Sequence, residues 1–190
     1  MHHKLLSFFE LFREIPDGDR ALIAKAFLHK SYEEGDYLFK APKICDELFF
    51  ICVGIVRIMV PNEKGTDVTH FFLKENQFCT LLDSFEKEKH ANESIQAACP
   101  TEVLAIRKTD LLHLYGQLPY LKNLIEAVMH ESLLEKIRIR NAYNGLDATK
   151  RYHQFLILQP EIALRVSQGD IASYLGITPQ SLSRIRKSNR

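Results

Sequence analysis

A set of polar residues near the end of the chain has the types and spacing to touch a nucleic acid: Ser167, Thr178, Gln180, Ser181, Ser183, Arg184 and Lys187. A guanidinium fork such as that of Arg184 can take a guanine edge, and a Gln amide such as that of Gln180 an adenine edge. Hydroxyls and an ammonium suit phosphate oxygens. Such side chains act together only if a rigid element presents them. Ser167 is a candidate N-cap, and Ile171, Ala172 and Leu175 follow it at helical spacing. Gly176 stands where a first helix must stop, and Thr178-Pro179 reads as the cap and first position of a second. Leu182 and Ile185 make that helix's apolar stripe. The spacing predicts a helix-turn-helix with its basic chemistry on the second helix. Two capped helices joined by a tight turn also occur in ordinary helical domains.

The whole chain has 190 residues, 46% of them hydrophobic and 26% charged, as expected of one or two soluble globular domains. No apolar run is long enough for a membrane span, and the start lacks a signal-peptide pattern, so cytoplasm is the expected location. Net charge is only +1, but residues 147–190 hold seven Lys or Arg against three Asp or Glu, a net of +4. The basic residues after Thr178 are Arg184, Arg186, Lys187 and Arg190. A basic end on a mildly acidic body suits contact with a polyanion. Cys45, Cys52, Cys79 and Cys99 form no C-x-x-C pair and read as structural thiols, so no metal site and no cofactor is expected.

Taken in order, residues 4–14 read as a helix, Pro16–Asp19 as a break, and the following residues through Phe27 as a second helix. From about Ser31 to Ile106 short apolar strands alternate with turns, which predicts an antiparallel barrel or jelly roll. The stretch 78–85 has no clear period, and Glu86–His90 reads as a charged loop. Thr109-Asp110 is a candidate cap for a short helix over 111–118. From Pro119 to about Tyr143 a long helix carries Leu121, Leu124, Ile125, Val128, Leu133 or Leu134, and Ile137 on one stripe. At roughly 35 Å it outreaches a small barrel, so pairing with its own copy is expected; a core helix of a larger bundle is the alternative. Gly145 ends it, Asp147 caps the next helix, and Gln159-Pro160-Glu161 breaks that one. The fold class is α+β: a barrel over 1–118, a dimerisation helix over 119–145, and a helix-turn-helix domain over 146–190.

This order resembles the Crp/Fnr family of bacterial transcription regulators. The likeness rests on Leu48–Val56, an aromatic-aliphatic strand running into Gly54; on Cys99–Ile106; and most closely on Ile171, Gly176, Arg184 and Ile185. It implies a homodimer on double-stranded DNA, with RNA polymerase as a further partner and a small-molecule effector in the barrel. It places Pro179, Gln180 and Arg184 at base-reading positions, and makes Ser167, Thr178 and Ser181 phosphate contacts. Pro179 cannot read a base and Gln180 replaces an acid, so a different operator from the archetype's is expected. The family's phosphate-binding cassette falls on Thr80, Leu81, Leu82, Asp83, Glu93 and Ser94. A backbone-approach glycine is replaced by Thr80, a ribose-binding acid by Leu81, and a phosphate-pairing Arg by Glu93. Cyclic AMP is therefore not the expected effector. The first 30 residues lack the cysteine cluster of the family's iron–sulfur branch. The stretch ends directly after the second helix, so the family's C-terminal β-wing is not expected.

Two other classes compete with this reading. One is a ligand-sensing or protein-interaction module with a vestigial DNA-binding end. The other is an enzyme, for which His90 with Glu93 is the nearest acid/base pair, in a stretch that reads as solvated.

Overall fold

In the computed structural model, residues 1–188 are described; Arg190, counted above in the basic end, lies outside them. The chain begins with α1 (His2–Glu10) and α2 (Asp17–Ala26). Eight strands follow: β1 (Leu28–Tyr32), β2 (Tyr37–Phe39), β3 (Glu47–Val53), β4 (Val56–Pro61), β5 (Asp67–Leu73), β6 (Phe78–Cys79), β7 (Ser94–Ala97) and β8 (Thr101–Arg107), with α3 (Leu82–Lys87) between β6 and β7. They form two four-stranded antiparallel sheets, ordered β1-β8-β3-β6 and β2-β7-β4-β5. That is the expected jelly-roll arrangement. β3 is apolar from Leu48 to Val53 because both of its faces are covered. Phe49 and Ile51 point between the sheets with Val103 and Ala105. Leu48, Phe50 and Cys52 point outward against α1, with Leu5 and Phe9.

Three stretches depart from the sequence expectations. β1 was not foreseen: it is a mostly exposed edge strand with no apolar alternation, and pairing with β8 defines it. The stretch 78–90 is not a periodless run followed by a loop, because α3 occupies 82–87. Six residues are too few to show a helical period. Thr109 and Asp110 do not cap a helix: β8 runs straight into α4 (Lys108–Gln117), whose N-cap is Arg107 without a side-chain bond. The Lys108 amide bonds instead to the Asp46 carbonyl at 2.7 Å.

The long helix is α5 (Pro119–Ala142). Its stripe starts inside the barrel's outer core, where Leu121, Leu124 and Ile125 are buried, and runs out of it. Leu133 and Ile137 are 42% and 47% exposed. Gly145, at φ +73°, closes the turn after α5, and Asp147 caps α6 (Ala148–Leu158) by accepting from the Lys150 amide at 2.9 Å. Then come α7 (Pro160–Arg165), α8 (Gln168–Leu175) and α9 (Pro179–Ser188). These last helices pack on the barrel rather than standing apart from it. Their core of Tyr152, Phe155, Ile162, Ile171, Leu175 and Leu182 continues into Ile55, Phe72 and Cys99 of the barrel.

Candidate nucleic-acid interface

Caps set the ends of the α8–turn–α9 pair. The Ser167 hydroxyl accepts from the Asp170 amide at 3.1 Å, leaving Ser167 exposed at the N-terminal end of α8. Gly176 takes the left-handed conformation at φ +66° that releases the chain from α8. The Thr178 hydroxyl accepts from the Ser181 amide at 3.1 Å and lies 2.9 Å from the Ser181 hydroxyl. Burial of Leu182 and Ile185 against Ile171, Ala172 and Leu175 fixes the roll of α9. The opposite face then presents Gln180, Ser183, Arg184 and Lys187 to solvent, while Ser181 is half-buried. A cleft of about 380 Å³ between the start of α8 and the length of α9 brings Gln168, Ser183, Arg186 and Lys187 together.

Sequence reasoning missed three contributors. Gln168 joins the basic face only because α8 and α9 cross. Arg186 was counted as charge and not as a member of the surface. Arg151 of α6 ties the turn down, donating to the Leu175 carbonyl at 2.6 Å and the Leu146 carbonyl at 3.1 Å. Its partners lie far off in sequence, so no local pattern announces it.

The pair is also bound to the barrel through α7 and α8. Arg57 of β4 forms an ion pair with Asp170, both largely buried, and donates to Gln96 at 2.9 and 2.6 Å and to Thr69 at 3.2 Å. The Thr69 amide donates to the Ser173 hydroxyl at 2.9 Å. The Tyr174 ring stands edge-on to Phe72 at 5.1 Å, and Gln159 donates to the hydroxyls of Tyr143 and Tyr174 at 2.7 and 2.9 Å. Lys74 pairs with Glu161. Glu75 accepts from Arg165 at 2.7 and 3.0 Å and from the Gly54 amide at 2.7 Å. Burial raises the Glu75 carboxyl, but those hydrogen bonds and the Arg165 charge outweigh it and hold the group below its usual range.

Of the cassette positions, Thr80, Leu81 and Ser94 are each engaged within the protein. Leu81 is buried in the core between the sheets with Cys45, Cys79 and Ala91. Thr80 donates to the Glu47 carbonyl at 2.9 Å, and the Ser94 hydroxyl accepts from the Ala41 amide at 3.1 Å. Ser84, in α3, accepts from the Cys45 amide at 2.9 Å and donates to the Lys89 carbonyl at 2.6 Å. Leu82 is 39% exposed and Glu93 is half-buried. The hydroxyls are thus committed to the protein's own backbone. The Cys79 thiol, fully enclosed, is pushed up to about 12 by burial.

Residues 29–117 match the sequence profile of the cyclic nucleotide-binding domain. The "Fumarate and nitrate reduction regulatory protein" of Vibrio cholerae is 26% identical over 168 residues, which are 82% of this chain and 66% of that protein. FixK2 from Bradyrhizobium japonicum superposes with a TM-score of 0.71 at 18% identity, covering 85% of this chain and 83% of that one. A protein from Eubacterium rectale described as a transcriptional regulator of the Crp/Fnr family superposes with a TM-score of 0.66 at 16% identity, covering 96% and 87%. In sequence profile and in fold, this chain is similar to Crp/Fnr-type regulators. The match to the Vibrio protein spans about two thirds of that protein's length. The two sheets form the part that matches the cyclic nucleotide-binding profile, and α5 leads from it to the C-terminal helices. No helix among the described residues is long and apolar enough to cross a membrane.

Proposed function

We propose that this Crp/Fnr-type chain is a cytoplasmic, homodimeric, sequence-specific DNA-binding protein that acts on transcription, and that it is not an enzyme. Its parts divide as a barrel over 1–118, a dimerisation helix over 119–145 and a reader over 146–190. The observation that carries the reading is the division of α9 into a buried apolar face and an exposed face of Gln180, Ser183, Arg184 and Lys187. Arg184 reads a guanine and Gln180 an adenine. Ser167, Thr178 and Ser181 contact phosphates, although each hydroxyl of the Thr178–Ser181 pair already serves the cap. Ser183 and Lys187 complete the surface. Two half-sites about one helical turn apart supply the affinity that one short reader lacks. RNA polymerase is the further partner that the Crp/Fnr likeness implies.

The filled cassette supports an effector other than a cyclic nucleotide. Leu81 fills the core, and Glu93 would repel a phosphate diester.

Selection of bound sites from random duplex DNA tests the reading. The wild-type chain should enrich a two-fold symmetric sequence. Arg184→Ala should lose about 10- to 100-fold of the preference at one base per half-site, the range for a lost bidentate contact. Equal selection of the same sequences by both proteins removes Arg184 from the base-reading role.

A further inference from the structure

A cleft at the elbow between β5, α5 and the α6–α7 break is unused by the DNA reading. Its volume is about 340 Å³, enough for a small ligand. Phe72, Ile139, Ile157 and Leu158 form apolar walls. Three of its charges are engaged already: Lys74 pairs with Glu161, and Glu135 accepts from Gln77 at 3.5 Å. Lys136 is different. Its ammonium lies 5.6 Å from the centre of the Phe71 ring and has no ion pair or hydrogen bond among the described residues. Burial lowers its pKa, against a smaller opposite pull from Cys79 and Glu135.

A half-buried ammonium near a ring face still lacks a counter-ion among the described residues, and an anion from outside would supply one. The surroundings restrict which anion. One ammonium without a counter-ion, beside apolar walls, suits a single negative charge carried on an apolar body. A phosphate dianion would need more donors and would meet the carboxylates of Glu135 and Glu161. Ser132, one turn before Lys136 on the same helix face, has a buried hydroxyl with no partner among the described residues, in a neighbouring cleft that shares Gln77 and Glu135.

We propose that the elbow cleft binds a small aliphatic or aromatic monocarboxylate, with its carboxylate on Lys136 and its apolar body against Phe72, Ile157 and Leu158. Such a ligand touches the barrel, the long helix and the root of the reader together, so its binding biases how α9 is held. That coupling rests on the DNA reading above; the site itself does not.

Titration calorimetry of the full chain without DNA tests the site, using octanoate and phenylacetate against the uncharged octanol and phenylacetamide. At least one acid should bind about tenfold or more tighter than its uncharged counterpart, as a charge-assisted contact requires. Lys136→Met should erase that difference. Ile157→Glu, which sets a carboxylate at the exposed rim, should weaken the acid and spare the neutral analogue, and it serves if Lys136→Met fails to fold. Equal affinity for acid and neutral analogue in the wild type, an unchanged preference in a folded Lys136→Met, or no heat from either acid at millimolar concentration overturns the site. DNA retention with and without the bound acid then tests the coupling. A chain that binds the acid but never retains DNA refutes the function and leaves the site standing.

Discussion

Leu81 shows how one side chain redirects a barrel. At the position where the Crp/Fnr resemblance expects an acid for a ribose, it completes an apolar core between two sheets. Opening that core to a polar ligand would expose apolar surface at about 25 cal/mol per Å² and strip Thr80 and Ser94 of backbone bonds. Titration calorimetry with cyclic AMP is therefore expected to give no binding at micromolar concentration, and a micromolar isotherm would contradict the filled cassette. Gly54 is as constrained as Leu81. At φ +102° an added Cβ would lie 2.3 Å from the Thr101 hydroxyl oxygen and 2.6 Å from the Pro100 carbonyl oxygen. Gly54→Ala should cost about 2–4 kcal/mol from backbone strain and overpacking. Thermal melting should then fall by roughly 5–15 °C; an unchanged midpoint would show that the turn relaxes freely.

Among the elements, α5 carries the clearest unbalanced surface. Its stripe is buried at Leu124 and Ile125 and bare at Leu133 and Ile137. Two large apolar side chains on one exposed helix face are what an isologous helix pair would cover. Replacing both with Asp should convert a dimer to a monomer in sedimentation while leaving the circular dichroism of the fold unchanged. A wild-type monomer, or a dimer that survives the double change, would put the dimer elsewhere. The stripe was readable in the sequence because helical period and burial agree over several turns, and the caps at Asp147, Ser167 and Thr178 were readable because capping is local. β1 and α3 were not, since β1 owes its conformation to β8 and α3 is a single short segment. Within the reader, exposed polar positions followed from the apolar stripe of α9. Arg151, Gln168 and Arg57 did not, because each acts on residues brought close only by tertiary packing.

At the scale of the molecule, reader and barrel share a seam of charged ties over an apolar base. Glu75 joins both sides, holding Arg165 of α7 and the Gly54 turn of the barrel. Its carboxyl sits below the ordinary value of 4.5 in the folded chain, so it favours folding above that value, and the contribution is lost as pH falls through the lowered folded value. Wild type should therefore be more heat-stable than Glu75→Gln at neutral pH, with the two melting temperatures converging as pH falls below the ordinary carboxylate value of 4.5 and through the lowered folded one. A gap that stays constant across that range would assign the difference to packing. The Arg57–Asp170 pair has a separate consequence. Because it fastens the first helix of the reader to a strand of the barrel, α9 has little slack relative to the body that carries it. In a two-fold dimer, two such fastened readers act as a ruler. One base pair inserted between half-sites turns the second site by about 35° and moves it about 3.4 Å. A loosely hinged reader would follow that shift. This one would first have to break a largely buried ion pair, so under the proposed reading operator spacing would be as much a part of its specificity as the bases under Arg184.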